Sequence, residues 1–268
     1  MKKRVNYMEE ENSIKNKITK WKSLTIDLSF TFLKLRYKGT VLGFFWSFLE
    51  PLLLLSVFYF VFNYIFTNDI PNFTLHLFVG LILFFMFSRG TMMGLTSISS
   101  NSHIISNLRI PKAILPISYN LTAFIMMLLD FSVFFVYMIA TQFFPPITII
   151  LLPVFMILVF LLSIGISLFL SILSVRVKDL NYLWIVVTNV IIFLTPIFWR
   201  LENMPPTIYE ILQYSPWIQI ITMTQDAVIY NKLPELGMFL YVTVFVFVIL
   251  GIGMFIFKKF ENKVTEFL

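Results

Sequence analysis

Long apolar runs alternate with short polar breaks along this chain, and the runs have the length that crosses a bilayer. About 20 apolar residues at a rise of about 1.5 Å each cover about 30 Å of hydrocarbon. Six runs meet that length, at about 41–66, 74–96, 113–141, 147–174, 180–199 and 236–257. The predicted fold is therefore all-α and polytopic: a basic segment over 1–40, a six-helix membrane domain over 41–257 and a short tail over 258–268. An even number of crossings puts both termini on one side.

One stretch breaks the helical pattern. Leu24 to Phe32 (LTIDLSFTF) alternates apolar and polar residues with a period of two, which matches a strand. A lone strand beside a helical membrane domain would leave both edges unpaired, and the cations that follow it, Lys34, Arg36 and Lys38, suit anionic headgroups. An interfacial amphipathic helix is the predicted element.

The breaks differ in character. The segment 201–234 is long and moderately apolar, and Pro205, Pro206 and Pro216 divide it into pieces too short to span. Two short helices forming a re-entrant hairpin fit it, with an ordinary surface loop as the alternative; non-helical backbone at membrane depth needs cover from protein or a water cavity. Across the membrane, Ser97 to Lys112 (SISSNSHIISNLRIPK) carries helix-capping residues and ends near Pro111, which predicts a short helix outside the bilayer. Val175 to Asn181 (VRVKDLN) is a second polar connection. Pro51 should bend the first span, and Pro196 should break the fifth. Gly39-x-x-x-Gly43 and Gly90-x-x-x-Gly94 match the motif that lets helices approach closely.

Charge sets the orientation. Ten Lys and Arg residues precede position 44, and Arg109, Lys112, Arg176, Lys178, Lys258, Lys259 and Lys263 fall on the same side. The opposite side holds Arg200 and Lys232, so both termini are predicted to be cytoplasmic. No apolar core of a signal peptide precedes Val41. With 59% hydrophobic and 13% charged residues, the composition excludes a soluble domain. The absence of cysteine and the presence of two distant histidines argue against a metal centre, and no glycine sits in a phosphate-cradling P-loop. ATP-driven work would need a partner, and nothing points to nucleic acid.

Three ionisable residues fall inside spans, where charge is costly and usually faces a cavity or a partner. Counted from the span ends, Glu50 and Arg89 reach similar depth and are expected to pair, either locking the first two spans together or serving the transport path. Asp130 counts as deeper, with no matched cation, a setting that favours the protonated acid. Aromatic residues make up 18% of the chain, with 32 Phe. Such rings can stack on sugar faces, although most fill helix contacts or face lipid.

Specific motifs narrow the class. The run LKLRYKGTVLGFFWSFLEPLLLLSVFYFVF (Leu33 to Phe62) resembles the opening of ABC-2 type permeases that export polysaccharides and polyol phosphates, the O-antigen and teichoic-acid exporter subunits. NLRIPKAILPIS (Asn107 to Ser118), LSVRVKDLNYL (Leu173 to Leu183), LTPIFW (Leu194 to Trp199) and the tail FKKFENKVTEFL are similar to further family segments in the same order. Ser215 departs from the family pattern, where asparagine is commoner before the proline.

The resemblance implies a homodimeric channel in the cytoplasmic membrane. It also implies two copies of a separate ABC ATPase that uses ATP and Mg, no cofactor on this chain, and lipid-linked O-antigen, capsule or teichoic-acid type cargo. It implies that Asn101, His103, Ile104, Ile105, Asn107, Leu108 and Arg109 form a coupling helix against the ATPase, with Arg176, Lys178 and Asp179 as a second contact. It implies a channel built mainly from the first and fifth spans, whose best aromatic candidates are Phe44, Phe45, Trp46, Phe48, Tyr59, Tyr182, Trp184, Phe198 and Trp199. A drug or lipid exporter is the nearest alternative. A membrane-embedded glycolipid transferase would need clustered acids, which the scattered Asp27, Asp69, Asp130, Asp179 and Asp226 do not provide.

Overall fold

The computed structural model describes residues 2–61, 70–102 and 110–264, and the regular elements among them are helices. They are α1 (Lys2–Tyr37), α2 (Trp46–Phe60), α3 (Phe73–Thr96), α4 (Ile114–Ala140), α5 (Leu152–Arg176), α6 (Leu180–Leu194), α7 (Pro206–Leu212), α8 (Pro216–Ile229) and α9 (Leu236–Val264). Among the described residues, four helices are long and apolar enough to cross a membrane: α3, α4, α5 with the turn before it, and α9. Helices α2 and α6 are shorter, at 15 residues each.

The alternating stretch 24–32 lies within α1. Its buried positions, Ser29, Phe32, Leu33 and Tyr37, recur every three to four residues, and that face lies along α4. The Ser29 hydroxyl donates to the Ser118 carbonyl at 3.0 Å, Thr122 donates back to the Ser29 carbonyl at 3.1 Å, and Phe32 stacks on Tyr119 at 4.0 Å. A helix satisfies its own backbone, so the local alternation yields to that requirement.

Two boundaries differ from the hydropathy reading. The first apolar helix starts at Trp46 rather than near 41, because Gly39 and Gly43 adopt positive φ (80° and 51°) in the turns that follow α1. These glycines sit in turns, and a Cβ built at either would meet nothing within 4 Å. The fifth run stays helical only to Leu194 rather than 199. Pro196 cannot donate to a helix ladder, and Thr195 leaves α6 with extended backbone.

Helix α3 is the pillar, buried along most of its length with α4 and α5 on its flanks. Helix α9 packs on α5, and α2 and α6 lie more lightly against this centre. A polar knot holds the three central helices. Asn120 of α4 donates to the Ser167 hydroxyl at 2.8 Å and accepts from Ser163 at 2.6 Å, and Ser167 donates to the Gly90 carbonyl at 3.2 Å. Gly90 and Gly94 make room for it, since a Cβ at Gly90 would lie 2.5 Å from the Ser163 hydroxyl and one at Gly94 2.5 Å from that of Ser167. In hydrocarbon an amide or hydroxyl without a partner is costly, so these residues have to meet each other.

The knot makes a clean test. Gly90→Ala should destabilise the protein by about 1–3 kcal/mol through overpacking, seen as a lower melting temperature in detergent. Gly251→Ala, with open space around the added methyl, should not lower it.

Candidate functional site

Four charged side chains from four helices, Arg36, Glu50, Arg89 and Asp130, are linked in a chain of ion pairs. The Arg89 guanidinium lies 2.9 Å from the Asp130 carboxylate of α4 and 3.4 Å from Glu50 of α2. Glu50 in turn lies 3.6 Å from Arg36, near the end of α1, and Arg89 also sits over the Phe85 ring at 5.1 Å. Two cations and two anions balance, as charge at bilayer depth requires. The closest partner of Arg89 is therefore Asp130, which corrects the view of Asp130 as a deep acid without a cation. Counting from span ends failed because α4 starts below the end of α3: Tyr119 receives a hydrogen bond from Asn101, and Asn120 stands opposite Gly90 and Gly94. The long Arg89 arm covers the remaining rise. Arg36, which hydropathy assigned to the basic head, is the fourth member.

A second constellation lies at the predicted outer side, where α7 and α8 follow one another across the turn at 213–215. Trp217, at the start of α8, packs on Phe87 with ring centroids 4.5 Å apart. Phe87 is about four turns along α3 from its N-terminal end, so the start of α8 sits about 21 Å along that helix. The Trp217 indole donates to the Thr195 hydroxyl at 2.8 Å. Higher up, buried Gln225 donates to the carbonyls of Pro196 (2.9 Å) and His76 (3.1 Å), joining α8 to both α3 and the break after α6. Tyr230 donates to the Pro71 carbonyl at 2.9 Å and meets His76 Nδ1 at 3.3 Å. Extended backbone is tolerable at this depth because the protein satisfies it.

Ion pairs close the rim. Arg200 reaches Glu202 at 2.9 Å, Asp226 at 3.7 Å and the Tyr230 ring face at 4.3 Å, and Lys232 reaches Glu202 at 2.6 Å. The hydrogen bond from Lys232, with Arg200 nearby, holds the Glu202 carboxyl below the usual glutamate range. The two short helices expected there are present as α7 and α8. The fastening of α8 through Gln225, His76 and Tyr230 went unread, although a glutamine in an apolar helix is the kind of residue that demands a buried partner.

The other candidate residues divide. Phe45, Trp46 and Tyr182 are exposed, with Tyr182 at 70%, and Phe48, Tyr59 and Trp199 are half-buried. Phe198 is a core residue packed on Phe58 at 5.1 Å, so it offers no face to a channel, contrary to expectation. Trp184 likewise turns inward, its indole donating to Thr91 at 3.0 Å and its ring lying against Leu95, Leu170 and Leu180. Both fill gaps beside α3 because the segments that carry them are anchored there. Trp199 donates to the Phe193 carbonyl at 3.2 Å. The Phe44 side chain lies outside the described residues, as do His103, Ile104, Ile105, Asn107, Leu108 and Arg109 of the predicted coupling helix. Asn101 turns its amide to Ser97 and Tyr119, anchoring the start of that connection. Arg176, Lys178 and Asp179 project from the surface, with Arg176 over the Phe260 ring at 5.6 Å. Among the described residues, no three His, Asp or Glu side chains converge as metal ligands.

Comparison with known proteins agrees with this architecture. The sequence pattern of the ABC-2 type transporter family matches residues 28–233. The chain belongs to that family. It is thus a multi-pass membrane protein of a transporter class, similar over most of its length to several curated relatives. It is 27% identical over 238 residues to an O-antigen export system permease protein, RfbA, of Klebsiella pneumoniae, covering 88% of this chain and 91% of the relative. It is 25% identical over 248 residues to a protein of the same name in Myxococcus xanthus, covering 92% and 95%. The polysialic acid transport protein KpsM of Escherichia coli is 22% identical over 239 residues, covering 86% and 90%.

The charged network predicts unequal costs for this family member. Arg89→Ala leaves Asp130 buried without its cation and should cost about 3–5 kcal/mol of stability, read by denaturation in detergent. Glu50→Gln should be milder, since that side chain is 37% exposed. The double variant Arg89→Ala/Asp130→Ala should be less destabilised than the sum of its parts; additive losses would dissolve the pair.

Proposed function

We propose that the chain is the membrane subunit of an ATP-driven exporter that carries a lipid-linked polysaccharide, of the O-antigen or capsule type, outward across the cytoplasmic membrane. One observation carries this reading: relatives named for O-antigen export and polysialic acid transport align over 86% or more of the chain, in a family whose pattern spans residues 28–233. Polyol-phosphate polymers of the teichoic-acid type belong to the same cargo chemistry, a long polar chain on a lipid anchor.

In this reading the chain crosses six times. Helices α3, α4, α5 and α9 make four crossings, and the apolar runs that carry α2 and α6 make the other two. The tip formed around Trp217 makes α7 and α8 a re-entrant hairpin. Both termini are cytoplasmic, in keeping with the clustering of Lys and Arg. The chain is not itself an enzyme: two copies of an ABC ATPase hydrolyse ATP with Mg beneath it, and this subunit binds no cofactor. Residues 101–109 dock on that ATPase, with Arg176, Lys178 and Asp179 as a second contact, so that a rigid-body motion below is passed into the spans.

Two such subunits enclose the path. The exposed apolar faces of α2 (Leu52, Leu53, Val57, Phe60) and α6 (Leu183, Val186, Val190, Phe193) support pairing with a second copy. Phe45, Trp46 and Tyr182, exposed near the start of the same two helices, are the aromatics best placed to meet sugar rings.

Because the chain contains no cysteine, single cysteines report topology without background. Asn203→Cys should react with an impermeant maleimide in intact cells, and Lys178→Cys only after permeabilisation; the reverse pattern would refute the orientation. Cells lacking this chain but retaining its ATPase should accumulate lipid-linked glycan in the inner leaflet and lose surface display, and unimpaired display would refute the cargo. Replacing Ile104, Ile105 and Leu108 with Asp should abolish ATPase co-purification while membrane insertion persists.

A further inference from the structure

Beneath the outer hairpin lies a cavity of about 370 Å³ that none of the contacts above explains. Its back wall is Phe87 of α3 with Leu162 and Ile166 of α5; Ile191 of α6 and Phe245 of α9 form its sides, and Trp217 at the hairpin tip roofs it. Leu162 and Phe245 each lie about 15 Å along their helices from the predicted outer ends, near the middle of the hydrocarbon layer. The lining is almost entirely carbon, and the Trp217 indole N–H is already used by Thr195. The cavity is half-open, and α6 and α9 both contribute to its lining while making few contacts with one another. On the α9 side, Leu240 and Val244 are exposed and apolar.

The geometry points to a binding site for one acyl chain of a membrane phospholipid, inserted between α6 and α9 under the hairpin. Water is a poor occupant, since an apolar cavity of about 150 Å³ already stays dry and takes up a hydrocarbon instead. Among the lining side chains, the only polar atoms are the Ser215 hydroxyl and the Trp217 indole N–H, which Thr195 already takes. An empty space would forfeit dispersion contacts on every wall. The hydrocarbon layer beside the cavity supplies chains at high local concentration. The acyl chain completes the packing under the hairpin that the protein leaves open, between α6 and α9. This inference rests on the six-crossing topology but not on the cargo, and failure of the topology would show separately as wrong-sided cysteine labelling.

The test uses Trp217 as the reporter. The full-length chain bearing Trp21→Phe, Trp46→Phe, Trp184→Phe and Trp199→Phe is reconstituted in vesicles of phosphatidylglycerol and phosphatidylethanolamine whose acyl chains are brominated near mid-chain. Trp217 should lose most of its emission, and Ile166→Phe, which fills the cavity, should restore it. Undiminished emission, or quenching unchanged by Ile166→Phe, overturns the site. Native mass spectrometry of the otherwise unaltered protein needs no tryptophan removal. It should find a phospholipid retained through delipidation and lost in Ile166→Phe. A retained polyprenyl phosphate in its place would assign the cavity to the glycan carrier and overturn the phospholipid, and retention of no lipid would overturn both.

Discussion

At bilayer depth there is no water to complete a hydrogen bond, and the arrangement of this protein follows from that constraint. A charged or amide side chain in its apolar helices is costly without a partner, and the partners of Arg89, Asn120 and Gln225 lie on other helices. Arg89 draws α1, α2 and α4 onto α3 through Arg36, Glu50 and Asp130. Asn120 draws α4 and α5 together beside Gly90, and Gln225 draws the hairpin and the broken end of α6 onto the top of α3. The central pillar is held by charge near one level, by amides and hydroxyls at another, and by a glutamine near the N-terminal end of α3.

This distribution separates a rigid part from a lightly held part. Helices α3, α4 and α5, with α9 behind them, share the knot and most of the buried apolar surface. Helices α2 and α6 contribute few buried residues and keep apolar faces exposed. Each is nevertheless tethered at a defined point, α2 by Glu50 to Arg89 and α6 by Trp184 to Thr91. The chain thus has a tightly packed centre and two tethered, half-covered helices.

Much of the site was legible and part of it was not. Glu50 and Arg89 could be matched by depth because each is a single charge in an apolar run, an outlier that needs a partner. Asp130 was misplaced because depth counted from hydropathy assumes that all spans begin at one level, and α4 begins below the end of α3. The aromatics of the first and fifth runs were recognisable as a group, but which of them turn inward was not. Phe198 and Trp184 turn inward because the chain at those points is pinned to α3, and composition carries no record of that. The tie between Gln225 and the Pro196 carbonyl joins residues far apart in sequence, and no local pattern announces it.

Hydropathy, charge asymmetry and motif order by themselves determined that the chain is an all-helical membrane protein, where its polar connections fall, and which family it resembles. They could do so because transfer into hydrocarbon acts on each residue independently and sums along the chain. The tertiary structure alone decided the partner of Asp130, the early end of α6, the turns at Gly39 and Gly43, and the cavity beneath Trp217. Those features depend on the relative level and tilt of helices that meet only after folding, and packing energies belong to pairs of surfaces rather than to single residues.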